Sequence, residues 1–123
     1  MKDFETTIQC KDKEFRCVFN LNVMEAIQEE YGSMDKWGDL TDGQLDKKTG
    51  KIKKEPNAKA VIFGFWAMIN EGIDIDNDEN GTDNPMLSLK QVGRLITDYG
   101  FTKATTKLNQ AVIESTKSEE KNS

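Results

Sequence analysis

A cluster of carboxylates and amides midway along the chain comes nearest to a metal-binding motif. Asp76, Asp78, Asn80 and Gly81 match the start of an EF-hand loop, D-x-[DN]-x-[DN]-G. Such a loop also needs a bidentate glutamate at its twelfth position, which here is Leu87. The match fails where calcium chemistry is most demanding. We therefore expect no metal site and interpret residues 73–86 as a mobile acidic loop.

The other reactive side chains are few. The chain has no histidine, which removes the commonest general base and transition-metal ligand. Its two cysteines, Cys10 and Cys17, do not form a CxxC motif, and we expect two reduced thiols facing the core. Nothing in the sequence places a carboxylate beside a nucleophile or in an apolar pocket, as an active site would require. We therefore predict a protein that is not an enzyme, with no catalytic, cofactor-binding or metal-binding residues.

The composition limits the class of partner. The 123 residues suffice for one domain, and the net charge is −5 with a pI of about 4.8. A general nucleic-acid binder would carry a basic face, so we expect no nucleic-acid partner. The sequence does not begin with a positively charged segment followed by an apolar run, so nothing suggests secretion. Two reduced cysteines are consistent with the cytoplasm. We predict a cytoplasmic protein with no membrane partner.

The organising element is the run at residues 60–69, which contains no polar side chain. It is too short to cross a bilayer, which takes roughly 20 such residues. A buried strand is the alternative, but its alanines and Pro56 favour a helix over residues 57–71 with Gly72 as the stop. A helix that is apolar all round must be wrapped by the rest of the domain. Gly64 within it predicts a close approach by a neighbouring element.

The N-terminal segment predicts a β-hairpin over residues 3–19, because apolar and polar residues alternate on both sides of a short polar turn. A hairpin alone is marginal, so its apolar face must lie on helices. The predicted register centres the turn on Asp12 and Lys13 and pairs Cys10 with Phe15 and Cys17 with Ile8. This register leaves the two cysteines unpaired across the ladder.

The rest of the chain reads as helices joined by polar segments. Asn22 with Glu25 predicts the N-terminal cap of a helix over residues 21–31, and Ser88 with Gln91 caps a later one. The fold class is α+β, a hairpin packed on a bundle of about four helices. The predicted organisation is one domain, 1–114 (hairpin 3–19, helices 21–114, mobile loops 41–55 and 73–86), and a disordered tail, 115–123.

The segment 41–55 is basic, in contrast with the acidic remainder of the chain. It contains five lysines, two glycines and few apolar residues. Either a mobile loop or a small hairpin turning at Thr49 and Gly50 fits this composition. A solvated loop is the simpler interpretation, and contact with an acidic partner or nucleic acid is the alternative.

Three stretches, taken in order, carry a resemblance to a known family. They are FNLNVMEAIQEEYG at residues 19–32, IFGFWAMI at 62–69 and LSLKQVGRLI at 87–96. The order and spacing resemble the tail assembly chaperones of long-tailed bacteriophages and prophages, which have a hairpin, a first helix, an "LLWAGL"-like central helix and an "LTLEEVGELI"-like helix. The sequence departs from that pattern at Lys90 and Gln91, where acidic residues are usual, and in its long acidic segment.

The resemblance implies a non-enzymatic chaperone that binds the helical tape measure protein, keeps it soluble and is displaced by tail tube protein. Weak self-association along that partner is implied as well. The apolar residues that we expect to reach a partner-binding surface are Met34, Trp37, Trp66 and Tyr99. Chaperones of this family are often also made as a frameshifted long form, and codons for Glu120, Lys121 and Asn122 permit a slippery run of A nucleotides.

Two other functions stay open from sequence. A small acidic calcium-binding module would depend on Asp76, Asp78 and Asn80. An acidic DNA-mimic inhibitor would depend on the net charge of −5 and the small size. Calcium calorimetry distinguishes the first from a chaperone, and the neighbouring genes distinguish both.

Overall fold

The computed structural model describes residues 3–42, 44–45 and 48–121, with side chains at 44–45, 52–53 and 116–121 left outside that description. This part of the chain is α+β, as predicted, with an N-terminal hairpin on five helices rather than about four. The elements are β1 (Phe4–Cys10), β2 (Lys13–Phe19), α1 (Leu21–Tyr31), α2 (Met34–Thr41), β3 (Gln44–Leu45), β4 (Ile52–Lys54), α3 (Ala58–Asn80), α4 (Leu89–Tyr99) and α5 (Phe101–Lys121).

The apolar run forms the first half of α3, so the helical prediction is confirmed and the strand alternative is wrong. Asn57 caps the helix, its side-chain oxygen accepting a hydrogen bond from the backbone N–H of Ala60 at 3.0 Å. Strand β2 and the other helices of the described chain, α1, α2, α4 and α5, all contact this helix. An all-apolar helix is stable in water only when surrounded in this way.

The predicted end of the central helix at Gly72 is wrong. α3 continues to Asn80 and ends at Gly81, whose φ of +64° lies in the left-handed region. Gly72 is instead a packing residue, because a Cβ there would lie 2.7 Å from the backbone oxygen of Arg16 in β2. The missing side chain lets the strand lie directly against the helix.

Gly64 serves the same purpose on another side of α3, and the close approach predicted there is confirmed. A Cβ at Gly64 would lie 2.6 Å from the Cζ2 of Trp37 and 3.2 Å from a methyl of Leu108. The Trp37 indole N–H donates to the backbone oxygen of Ala60 at 3.0 Å, which fixes the ring in this space. α2 and α5 are therefore brought onto α3 at one point.

The hairpin has a tighter turn than predicted. Cys10 pairs with Lys13 and Ile8 with Phe15, so the turn lies at Lys11 and Asp12, with Lys11 at φ +59°. The predicted register is wrong by two residues. An even shift keeps each side chain on its face of the ladder, which is why the predicted buried face survives the error.

Both cysteines are free thiols and buried, as predicted. The Cys10 thiol donates to the backbone oxygen of Leu95 at 3.4 Å, which joins β1 to α4. Burial raises the pKa of Cys17 to about 12. Since the thiolate is the reactive form, the Cys17 thiol is inert at neutral pH.

The bounds of α1 and the strands within residues 41–55 follow the sequence patterns, whereas the cap of α1 does not. α1 has the predicted bounds, but its cap is Asn20 rather than Asn22, because the Asn20 side chain accepts hydrogen bonds from the N–H groups of Asn22 and Val23. In 41–55, β3 and β4 pair as a small hairpin whose turn includes Gly50 at φ +71°, which confirms that alternative. Residues 43, 46 and 47 lie outside the described part.

The start of the predicted disordered tail belongs to the folded domain. Ser115 is buried, and its hydroxyl donates to the backbone oxygen of Val112 at 2.9 Å. The prediction is therefore wrong at Ser115. The α5 backbone continues to Lys121, while residues 122–123 lie outside the description. Within the described residues, no helix is both long and apolar enough to cross a membrane.

Substituting alanine for Gly72 tests the contact between α3 and β2. Alanine is intrinsically better in a helix by about 1 kcal/mol, yet we expect Gly72→Ala to destabilise the protein by about 2 kcal/mol, because its Cβ meets rigid backbone. Gly38→Ala in α2 is the matched control, since nothing lies within 4 Å of a Cβ there. Urea unfolding should show the control unchanged or stabilised. Equal stability of the two variants would contradict the close contact.

Candidate partner-binding groove

The residues that matched a calcium loop are not in a loop. Asp76, Asp78 and Asn80 belong to the last turns of α3, so the predicted mobile loop over residues 73–86 is wrong for its first half. Helical geometry turns Asp78 to the opposite side from Asp76 and Asn80, whereas an EF-hand loop wraps all three around one ion. Among the described residues, no three histidine, cysteine or acidic side chains come together as a metal-binding group.

Asp76 instead takes part in an ion-pair network. Arg16 contacts Asp76 through Nη1 at 2.5 Å and binds Glu5 with two hydrogen bonds, at 2.6 and 3.1 Å. The hydrogen bonds from Arg16 hold the pKa of Glu5 below its usual range. The network joins β1, β2 and the second half of α3, and all three side chains are partly exposed.

This network predicts a pH dependence of stability. A carboxyl whose pKa is lowered on folding contributes stability above its unfolded pKa, about 4.3 for glutamate, and loses it as the pH falls further. We expect Arg16→Gln to lower the free energy of unfolding by about 1 kcal/mol or less at pH 7, given the exposure of the pairs. At pH 3 the difference should shrink. Urea unfolding at both pH values measures it, and an equal loss at both would contradict the ionic contribution.

The four residues predicted to bind a partner do not form one surface. Met34 and Trp37 line a cleft between α1, α2 and α5, but Trp37 is only 1% exposed and belongs to the core. Tyr99 lies beside α5, with the ammonium groups of Lys103 and Lys107 at 4.8 and 5.8 Å from its ring centre. Trp66, on α3, is partly exposed and lies in a different groove.

This groove, called here the α3 groove, has one stripe of α3 as its floor. α1 and α4 pack mainly against α3 rather than against each other, which leaves the stripe accessible between them. Two adjoining hollows that share Trp66 make up the groove. Its lining consists of Asn22, Val23, Ala26 and Glu30 from α1, Lys59, Ile62, Phe63, Trp66, Ala67, Asn70, Glu71 and Asp74 from α3, Met86 and Leu87, and Leu89, Lys90 and Gly93 from α4.

Trp66 is held in one orientation at the middle of the groove. Its indole N–H donates to the backbone oxygen of Leu87 at 2.9 Å, and its ring lies 5.3 Å from that of Phe63. The Asn70 side chain bonds both the N–H and the oxygen of Leu87, at 2.9 and 3.0 Å. The segment between α3 and α4 is thereby fastened along the groove wall. The apolar surface around Trp66 is therefore already formed without a partner.

The groove is apolar in its centre and charged at its two ends. Leu89 and Met86 are 45% and 46% exposed, which is unusual for large apolar side chains in this structure. Lys59 and Lys90, with Glu30, lie at the end near the start of α3. Glu71 and Asp74 lie at the other end. Such an arrangement suits binding of an apolar stripe.

Sequence reasoning identified Trp66 but missed the rest of the groove. In the helix that Ser88 begins, the apolar residues Val92 and Ile96 are buried, whereas Leu89 is 45% exposed. The sequence offered one signal of this exposure. Leu89 directly follows the N-cap residue Ser88 and so precedes, by about one helical turn, the residues that pack on the core. Lys90, noted as a departure from the family pattern, marks the same edge.

Comparison of the chain with models of known protein families, with curated proteins and with solved structures found no match.

Proposed function

We propose that the protein is a non-enzymatic tail assembly chaperone of a long-tailed bacteriophage or prophage. In this proposal it binds an amphipathic helical segment of the tape measure protein in the α3 groove, in the cytoplasm of the host cell. The observation that best supports this proposal is the groove itself, which has an apolar floor centred on the fixed Trp66 between two helices. The order of the three family-like stretches in the sequence is the second support.

The groove suits a helix as its occupant. Amphipathic helices bind by laying side chains at positions i, i+3, i+4 and i+7 into an apolar channel between other helices. The floor from Lys59 to Asp74 spans fifteen residue steps of α3, or roughly 22 Å, enough for about four turns of a partner. Covering an apolar stripe of that length keeps it from associating with other stripes, which is the work of a chaperone.

The same dimensions fit the other parts of the proposal. A tape measure helix is much longer than four turns, so several copies of this chain would bind along it, in accord with weak self-association. The groove wall at Met86 and Leu89 is exposed, so a bound segment stays within reach of tail tube protein, which displaces this chain in the proposal. Binding of this kind requires no cofactor and no nucleic acid.

Leu89 provides a test that spares the fold, because it is already 45% exposed. Co-expression with the tape measure protein should make that protein soluble and co-purify it with this chain. We expect Leu89→Ser to reduce the co-purified amount several-fold, since burying the exposed part of a leucine side chain against a partner contributes about 1 kcal/mol.

Ile113→Ser is the matched control for this experiment. Ile113 is 60% exposed but lines the other cleft, beside Met34. We expect the control to leave solubility and co-purification unchanged. If Ile113→Ser reduced co-purification and Leu89→Ser did not, the binding site would lie in the other cleft rather than in the α3 groove. No gain in solubility with the unchanged chain would contradict the chaperone function itself.

A further inference from the structure

The charges at the two ends of the α3 groove differ in sign. The end near the start of α3 has Lys59 and Lys90 with one carboxylate, Glu30, so its formal charge is +1. The other end has Glu71 and Asp74, with a formal charge of −2. Glu71 also accepts hydrogen bonds from the side-chain amides of Asn20 and Asn22, at 2.6 and 2.8 Å. The apolar residues between the ends carry no such asymmetry.

We propose that the α3 groove binds its helical partner in one direction, antiparallel to α3. The inference rests on the proposed function, because it presumes that a helix occupies the groove. In this direction the partner's N-terminus lies beside Glu71 and Asp74, and its C-terminus beside Lys59 and Lys90. The partner segment that fits best has basic residues in its first turns and acidic residues in its last.

Two electrostatic contributions favour this direction. A helix carries roughly half a positive charge at its N-terminus and half a negative charge at its C-terminus, which the two ends of the groove complement. Basic and acidic side chains on the partner's flanks add direct charge pairs with Asp74 and Lys90. Both residues are exposed, so each pair is weak alone and sensitive to salt.

The apolar floor favours neither direction of the partner helix, so the charges at the ends of the groove determine that direction. Ile62, Phe63 and Trp66 present hydrocarbon and aromatic surface, and an amphipathic stripe can meet such a surface in either direction. Hydrophobic burial is non-directional and scales with the area removed from water. The ends of the groove therefore determine specificity, while its centre supplies most of the affinity.

Two synthetic peptides of about 18 residues test the inference, a length that covers the floor. Both carry the same leucine stripe and the same composition. One has lysines in its first turn and glutamates in its last, and the other has them exchanged. The second peptide is intrinsically the more helical, because its charges suit its own dipole. Any preference for the first peptide must therefore come from the groove.

We expect the first peptide to bind roughly fivefold more tightly at low ionic strength, with the difference lost near 1 M salt. A nitroxide on its N-terminus should broaden the amide signals of Asp74 and Glu71 and spare those of Lys59 and Lys90. Equal affinities, or broadening at the Lys59 end, would overturn the inference while leaving helix binding intact.

A double charge exchange provides the matched control. Asp74→Lys with Lys90→Glu should reverse the preference between the peptides. Asp98→Lys with Lys103→Glu, which lie outside the groove, should leave it unchanged, and the opposite pattern would overturn the inference. If neither peptide shifts the indole signal of Trp66, the proposed function fails together with the inference. A groove already covered by a second copy would show a concentration-dependent Trp66 shift without peptide, and this too would overturn it.

Discussion

The contact between β2 and α3 at Gly72 is the constraint on which the rest of the structure depends. Strand backbone and helix backbone approach so closely there that no Cβ fits between them. α3 continues past the end of its apolar run beside this strand, which places Asp76 within reach of Arg16. An internal glycine costs a helix about 1 kcal/mol relative to alanine, and the strand-to-helix packing offsets that cost.

The same helix acts both as the core and as the floor of the groove. Its buried sides pack on the hairpin, α2 and α5, while one stripe stays partly accessible because α1 and α4 do not close over it. The segment joining α3 to α4 is held in the wall by the hydrogen bonds that Trp66 and Asn70 make with Leu87. Core packing and the proposed binding surface thus both depend on one element, and a change that shifts α3 would affect both.

The sequence predicted what periodicity and composition control. The hairpin, the bounds of α1, the central helix and the buried thiols followed from local patterns. Long-range packing decided the rest. Gly72 resembled the end of a helix because local sequence patterns do not reveal that a strand packs against it. Asp76 resembled a calcium ligand because its actual partner, Arg16, is distant in sequence.

The candidate site was predicted only in part, for the same reason. Trp37 follows Lys36 in a polar stretch and Trp66 stands in the all-apolar run, yet Trp37 is the core ring and Trp66 the groove ring, so local sequence does not distinguish the two correctly. Their partners do: Trp37 bonds Ala60 in the interior, while Trp66 bonds Leu87 at the edge of a surface groove. Whether an apolar residue is core or surface depends on which elements leave it uncovered, as at Leu89.

The two indole N–H signals provide the most direct measurement of the central claim, that the uncovered stripe of α3 is the partner-binding surface. Each tryptophan contributes one indole N–H resonance to a proton–nitrogen NMR spectrum, and the chain has two tryptophans. On titration with a helical segment of the tape measure protein, the Trp66 indole signal should shift progressively while the Trp37 signal stays in place. A shift of Trp37 with Trp66 unmoved would contradict the account.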